Sequence, residues 1–401
     1  MRRVSLSLLC VMLPLGAYDS VTTRGADEPP CQRCGWVAGS RGRSVVVTTV
    51  DQLARAVRTS SRDTEILLAP GDYRLMQTLE IATPGLTLRA RTSRAEDVRL
   101  SGEGMGETRV GVAVAVAAND VTLADLTIGS VRRHAVQVRG ERDVRRLMIH
   151  GVRLHDTGEQ LLKGSRLGTR GAGDVTVACS RFWYTTEAPS DYTNGVDVLG
   201  GHNWDVRDNQ FDRIVGPASG RYAAGAAILF WSGSRNISIS RNLVRDSFRG
   251  IAVGIMPARG HVEVDGASVQ SNVVWNRHPW ADEGIEVAGS RAVLVEHNTV
   301  LVEGRLPWSI GVRFPGPAGI IRNNLTNRWI MKRNGGQATL VGNLVAARAT
   351  WFVAPGQADL RLLPRTPAID AGASTQLATD FDRRPRVHGR APDVGAFEWR
   401  P

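Results

Sequence analysis

Lysine is almost absent from this chain of 401 residues: only Lys163 and Lys332 occur, so arginine supplies nearly all of the 50 basic side chains. The net charge of +11 suits an anionic partner, but so one-sided a use of arginine is also what a biased coding sequence leaves behind, and the charge carries modest weight. The arginines are not concentrated either. There is no basic run and no nucleic-acid-binding motif, so nucleic acid is not the expected partner. Cysteine is scarce, at four. Cys31 and Cys34 have no second Cys/His pair at zinc spacing and no thioredoxin-like surroundings, which leaves a local disulfide as the reading. Cys179 stands at an apolar strand position and reads as a buried core thiol. Long apolar runs are missing after the N-terminus, so no transmembrane segment is expected.

What the chain does have begins with an export signal. Arg2 and Arg3 precede an apolar stretch, Val4 to Ala17, that is too short to span a bilayer comfortably. A secreted or periplasmic protein follows from it, with residues 1–20 as the signal and 21–44 as a linker holding the Cys31/Cys34 pair.

The rest repeats. From about residue 120 to about 345 an apolar frame returns with an asparagine at one place: Asn209, Asn242, Asn272, Asn298, Asn324 and Asn343, at intervals that shorten towards the C-terminus. Earlier units keep the frame without asparagine, at Leu123–Ile128, Ile149–Leu154 and Val177–Phe182. Each unit is followed by a short strand whose apolar residues alternate, such as Val136 and Val138, Val196 and Val198, Ile285 and Val287. Several short strands per period with no helix between them cannot build βαβ units. Stacked coils with parallel strands and one continuous core can. The fold class expected is therefore all-β: a single right-handed parallel β-helix. Asparagine tolerates left-handed backbone and can bond to identical neighbours above and below, so the repeated asparagines read as a ladder inside one turn.

The ends read as covers. A short helix over Thr49–Thr59, with Leu53, Ala54 and Val57 on one side and Thr49 or Asp51 as N-cap, shields the first coil. Residues 45–118 form this cap and the first coils, 119–355 the coils with the ladder, and 356–401 a Pro- and Asp-rich capping tail.

Three segments carry a family likeness: Ile66–Tyr73 (ILLAPGDY), the Asn-marked coils, and the tail with Pro367–Gly372, Asp380–Arg386 and Asp393–Glu398. In these the chain resembles the secreted bacterial right-handed parallel β-helix repeat proteins of the pectin-lyase-like superfamily. The resemblance covers nearly the whole chain after the signal. It implies the fold, and an acidic polysaccharide as the class of partner, since pectate, alginate and chondroitin lyases, polygalacturonases and mannuronan epimerases share that fold. The paired-aspartate motifs of the polygalacturonases, the Asp-Pro-His triad of the epimerases and the Trp-Ile-Asp-His signature of pectate lyases are all missing here. Fold alone does not fix activity.

The strand register locates a candidate site. Outward positions between the inward valines form a row: Gln137, Lys163, Asp197, Leu229, Ala252, Glu286, Arg313 and Met331, with Arg139, Ser165 and Trp231 flanking it. Neighbouring coils are roughly 4.8 Å apart. Insertions before these strands (180–194, 212–226, 276–282) bring Tyr184, Glu187, Asp191, Tyr192, Arg221, Tyr222, His278 and Trp280 to the same side as groove walls. For β-elimination from a uronate, Lys163 is the expected base, with Arg166 or Arg139 neutralising charge. Asp197, Glu187 or Asp191 are candidate oxygen ligands for a calcium ion. Tyr192, Trp231, Trp280, Glu286, Arg139 and Arg313 are expected to hold substrate. Hydrolysis is an alternative, but Asp197 and Glu286 stand three coils apart, roughly 14 Å, too far for a carboxylate pair. A non-catalytic glycan-binding or cell-surface structural protein is another, and in each reading the chain is expected to be a monomer. Lys163–Asp197 and Glu286–Arg313 could also be plain cross-strand ion pairs, worth under about 1 kcal/mol each.

Overall fold

The computed structural model describes residues 42–217, 225–257, 261–316 and 319–401. The segment expected to be an export signal and the Cys31/Cys34 pair lie outside them. Three parallel sheets of 12, 10 and 10 strands run the length of the molecule, and consecutive strands of the chain pass from one sheet to the next. Each coil therefore contributes one strand to each sheet. Alternation explains the core: Val136, Val138, Val196, Val198, Ile285 and Val287 all point inward, and none is more than 6% exposed. Burying each such side chain stabilises the fold by roughly 1.5–3 kcal/mol.

The asparagines form the expected ladder. Each amide donates to the side-chain oxygen of the next asparagine, from Asn209 to Asn242 (3.0 Å), Asn272 (3.0 Å), Asn298 (3.0 Å), Asn324 (2.9 Å) and Asn343 (2.9 Å). The backbone N–H of each donates to the same acceptor. The residue just before each ladder position has left-handed backbone: Asp208, Arg241, Ser271, His297, Asn323 and Gly342. Cys179 occupies that position in its own coil, before Ser180, with φ of 56°. It is not a free thiol at a strand position. It is disulfide-bonded, and the chain's other cysteines all precede the described residues.

One α-helix, Val50–Thr59, packs against the first strands. Thr49 is its N-cap, the hydroxyl accepting from Gln52 N–H at 3.2 Å. It buries Leu53, Ala56 and Val57, and Ala54 packs partly buried against the same core. At the other end the tail packs sideways. Phe352, Leu360, Leu362, Val394 and Phe397 cluster with Val273, Trp275, Leu301 and Leu325 on the outer face of the third sheet (Gly71–Arg74 through Leu325–Thr326). The tail runs back along the ladder corner, Arg386 donating to Ser271 Oγ (2.7 Å) and Arg383 pairing with Asp208 (2.8 Å). The last coil keeps Trp329 and Leu340 exposed.

Candidate functional site

The second sheet, Leu79–Ile81 through Trp329–Arg333, carries the outward row on the face opposite its core residues. Its register runs Glu80, Ala115, Gln137, Lys163, Asp197, Leu229, Ala252, Glu286, Gly311, Met331. Arg313 does not belong in it. Gly311 faces Glu286, while Arg313 pairs with Ala288 and Arg333 in the flanking row.

Lys163 and Asp197 face each other on adjacent strands and are joined by a 2.5 Å hydrogen bond. Asp197 is completely buried although it points away from the core, and Lys163 is 14% exposed. Two rings account for this. Trp231, one coil further on, reaches back to donate its indole N–H to the other oxygen of Asp197 at 2.8 Å. Tyr192, from the insertion before the Asp197 strand, stands edge-on to Trp231 with centroids 6.4 Å apart. Its face lies 5.1 Å from the Lys163 ammonium, within cation–π range. The Tyr192 hydroxyl is buried without an aligned hydrogen-bond partner. Burial, then the neighbouring Asp197 carboxylate, pushes its pKa well up. His134 is buried and held neutral, its pKa pushed down to about 3 by burial and then by Arg133 and Lys163.

The other candidates do not join this group. Arg139, next to Ser165 on this face, is 32% exposed and loosely paired with Glu80 (3.9 Å) and Glu141 (3.5 Å). The Arg166 guanidinium is drawn along the corner to Ser232, bonding its carbonyl and its hydroxyl (2.9 Å), so it does not complete a catalytic group with Lys163. Tyr184 is no groove wall: its hydroxyl donates to Glu159 O (2.6 Å) inside the coil and contacts Thr157. Trp280 is 45% exposed on its loop beneath Arg305, 5.3 Å away. Arg221 and Tyr222 lie outside the described residues. For calcium, the donor set does not fit. Asp197 spends both oxygens on Lys163 and Trp231, and no cluster of three or more His, Cys, Asp or Glu suited to a metal is found among the described residues.

A second charged group was not foreseen in full. Glu286 is completely buried, with Arg249 at 2.7 Å, Arg313 in contact and Arg333 at 3.7 Å. Its oxygens sit close to these nitrogens but out of hydrogen-bond alignment. Glu283, also fully buried, contacts Arg333, and Arg249 also holds Asp282 (3.0 Å). Burial, then Glu286, raises the pKa of Glu283. Glu283 precedes its strand, where a rule about alternate strand positions does not look; the run Asp282-Glu283 beside Glu286 was the available signal.

No family model matches this chain, and no curated protein does either. Solved structures do. Pectate lyase Pel9A superposes with a TM-score of 0.53 at 14% identity, over 93% of this chain and 99% of that one. The chain is a right-handed parallel β-helix. An alginate lyase from Paenibacillus sp. str. FPU-7 gives a TM-score of 0.52 at 13% identity, covering 76% of this β-helix and 99% of its own chain. XylC in complex with xylose gives 0.53 at 11%, covering 74% and 71%. At such identities the likeness is one of fold. No helix among the described residues is long and apolar enough to cross a membrane.

Proposed function

We propose that this β-helix is an exported carbohydrate-active protein that engages an acidic polysaccharide on the outer face of its second sheet, with Lys163 as the cation that meets a uronate carboxylate. One observation carries this reading. Lys163, one of two lysines in the chain, sits on the floor of that face between Gln137 and an aromatic wall of Tyr192 and Trp231. Rings of this kind stack on sugar faces, and Arg139 adds a second cation within the same coils. The fold likeness to a pectate and an alginate lyase agrees with the substrate class. The test is binding to pectate, alginate and chondroitin against neutral glycans. Salt-sensitive affinity for the acidic set, lost in Lys163→Ala, is expected; equal binding by that variant sinks the reading.

β-Elimination is the second reading, favoured by the same likeness. In it the C5 proton passes to Lys163, Arg139 neutralises the carboxylate, and Tyr192, its hydroxyl kept protonated, gives its proton to the leaving oxygen as the C4–O bond breaks. As a base Lys163 is poorly placed, because in the observed geometry it donates to Asp197. Ultraviolet absorbance of unsaturated uronate, followed across the same glycans, decides whether cleavage accompanies binding.

A further inference from the structure

We infer that the binding face is closed at one end, so that it takes the terminus of a polysaccharide rather than the middle of a chain. The inference rests on the proposed function and adds to it the kind of site. The outward row divides in two. In its first coils the row is partly open: Glu80 is 49% exposed and Lys163 14%, with Arg139 of the flanking row at 32%, while Ala115 is buried on the floor between Glu80 and Gln137. From the next coil on, Asp197, Leu229, Ala252 and Glu286 are all completely buried although every one points outward.

Distinct contacts close each of those coils. Trp231 and Tyr192 roof Asp197, and the indole is fixed there by its hydrogen bond. Trp231 and Ile255 then pack on Leu229 and Ala252, making a small apolar cluster on the outside of the sheet. Arg313 donates to Ile255 O at 2.8 Å and lies against Glu286, which Arg249 and Arg333 also hold. A sugar could lie over these coils only by lifting an indole off a buried carboxylate or by breaking a desolvated ion network and leaving buried charges unpaired. A polysaccharide running along the solenoid axis therefore meets a wall after the Lys163 coil. The open strip spans about three steps, Glu80 to Lys163, or roughly 14 Å. That is room for a chain end with its last ring against Tyr192 and Trp231.

End binding differs from groove binding in stoichiometry, which can be read without any turnover. The intact protein is titrated by calorimetry with a galacturonate tetramer and with long polygalacturonate, and with the corresponding pair from alginate. One protein per chain at both lengths is the expected result. Stoichiometry that grows with chain length overturns the closed end while leaving the proposed function standing. Failure to bind either length of both sugars overturns the two together. If cleavage occurs, the early products should be of a single small size; a random ladder of lengths would count equally against the wall.

Discussion

The carboxylate of Glu283 fills the space that a side chain at position 311 would need: a Cβ built on Gly311 would stand 1.7 Å from Glu283 Oε2. No rotation at residue 311 avoids this, because the clash arises at the first side-chain atom. Gly311→Ala must shift the Glu283 carboxylate, which is fully buried and in contact with Arg333. A loss of about 1–3 kcal/mol is expected on denaturant unfolding. Gly356→Ala is the control, since nothing lies within 4 Å of the added atom there, and it should change stability by less than about 0.5 kcal/mol. Equal effects of the two substitutions would mean that the carboxylate gives way freely.

The ladder makes a graded prediction. Asn272 donates to Asn298 and accepts from both the side chain and the backbone of Asn242, all fully buried. Asn272→Ala strands donors and acceptors on two coils, at roughly 1–3 kcal/mol for each group left unsatisfied. Asn343, only half-buried at the end of the ladder, receives from one side alone. Asn343→Ala should cost clearly less. A comparison of denaturation midpoints checks the order, and a reversed order would deny that stacking supplies the stability.

The solenoid and its ladder were legible because stacking imposes one in/out pattern on every coil, and a pattern repeated that often survives substitutions. Lys163, Asp197, Trp231 and Glu286 followed from it directly. Arg313 is misplaced in that row because Gly195, Gly250 and Gly284 each stand two residues before the central position, and Gly311 resembles another of them. That glycine instead stands at the central position, cleared for Glu283. Cys179 looked like a core residue because a left-handed turn position leaves no trace in an apolar pattern. Tyr184 looked like a wall because its insertion is long, but Thr157 and Glu159 draw it inside. Burial of the outer row depends on contacts between insertions and strands that no single-coil pattern encodes.

The tail should dock in a pH-dependent way. Burial raises the pKa values of Asp380, Asp393 and Glu398, the last to about 7 from an ordinary 4.5. Raised carboxyl pKa values stabilise the docked form fully below about 4.5, and that contribution fades as pH rises through 7. His297, under the same tail and pushed down to about 3 by burial, acts in reverse: its contribution is present above 6.5 and is lost as pH falls. Hydrogen exchange at Gly395 and Ala396, whose N–H groups bond to Asn323 O (2.8 Å) and Thr299 Oγ1 (2.9 Å), reports the docking. After correction for intrinsic rates, protection should fall from pH 5 to 8, and Glu398→Gln should flatten that fall by about 1–3 kcal/mol. The same slope in both proteins would remove Glu398 from the account.

Asp197→Asn separates the two roles open to Lys163. The substitution keeps the shape that Trp231 bonds to and removes the negative charge from the 2.5 Å contact. A carboxylate neutralises the field of the lysine beside it. If Lys163 is the cation for a uronate, the variant presents a bare positive charge, and affinity for acidic glycans should rise by about 1 kcal/mol, roughly fivefold, with stronger salt dependence. Any cleavage activity should then respond through KM. If Lys163 is instead a base, the variant alters the group that takes the proton, and kcat should change while affinity for the glycan does not. The proposed function expects the gain in affinity. A change in kcat alone would return Lys163 to the role of base and make Arg139 the remaining cation of the face.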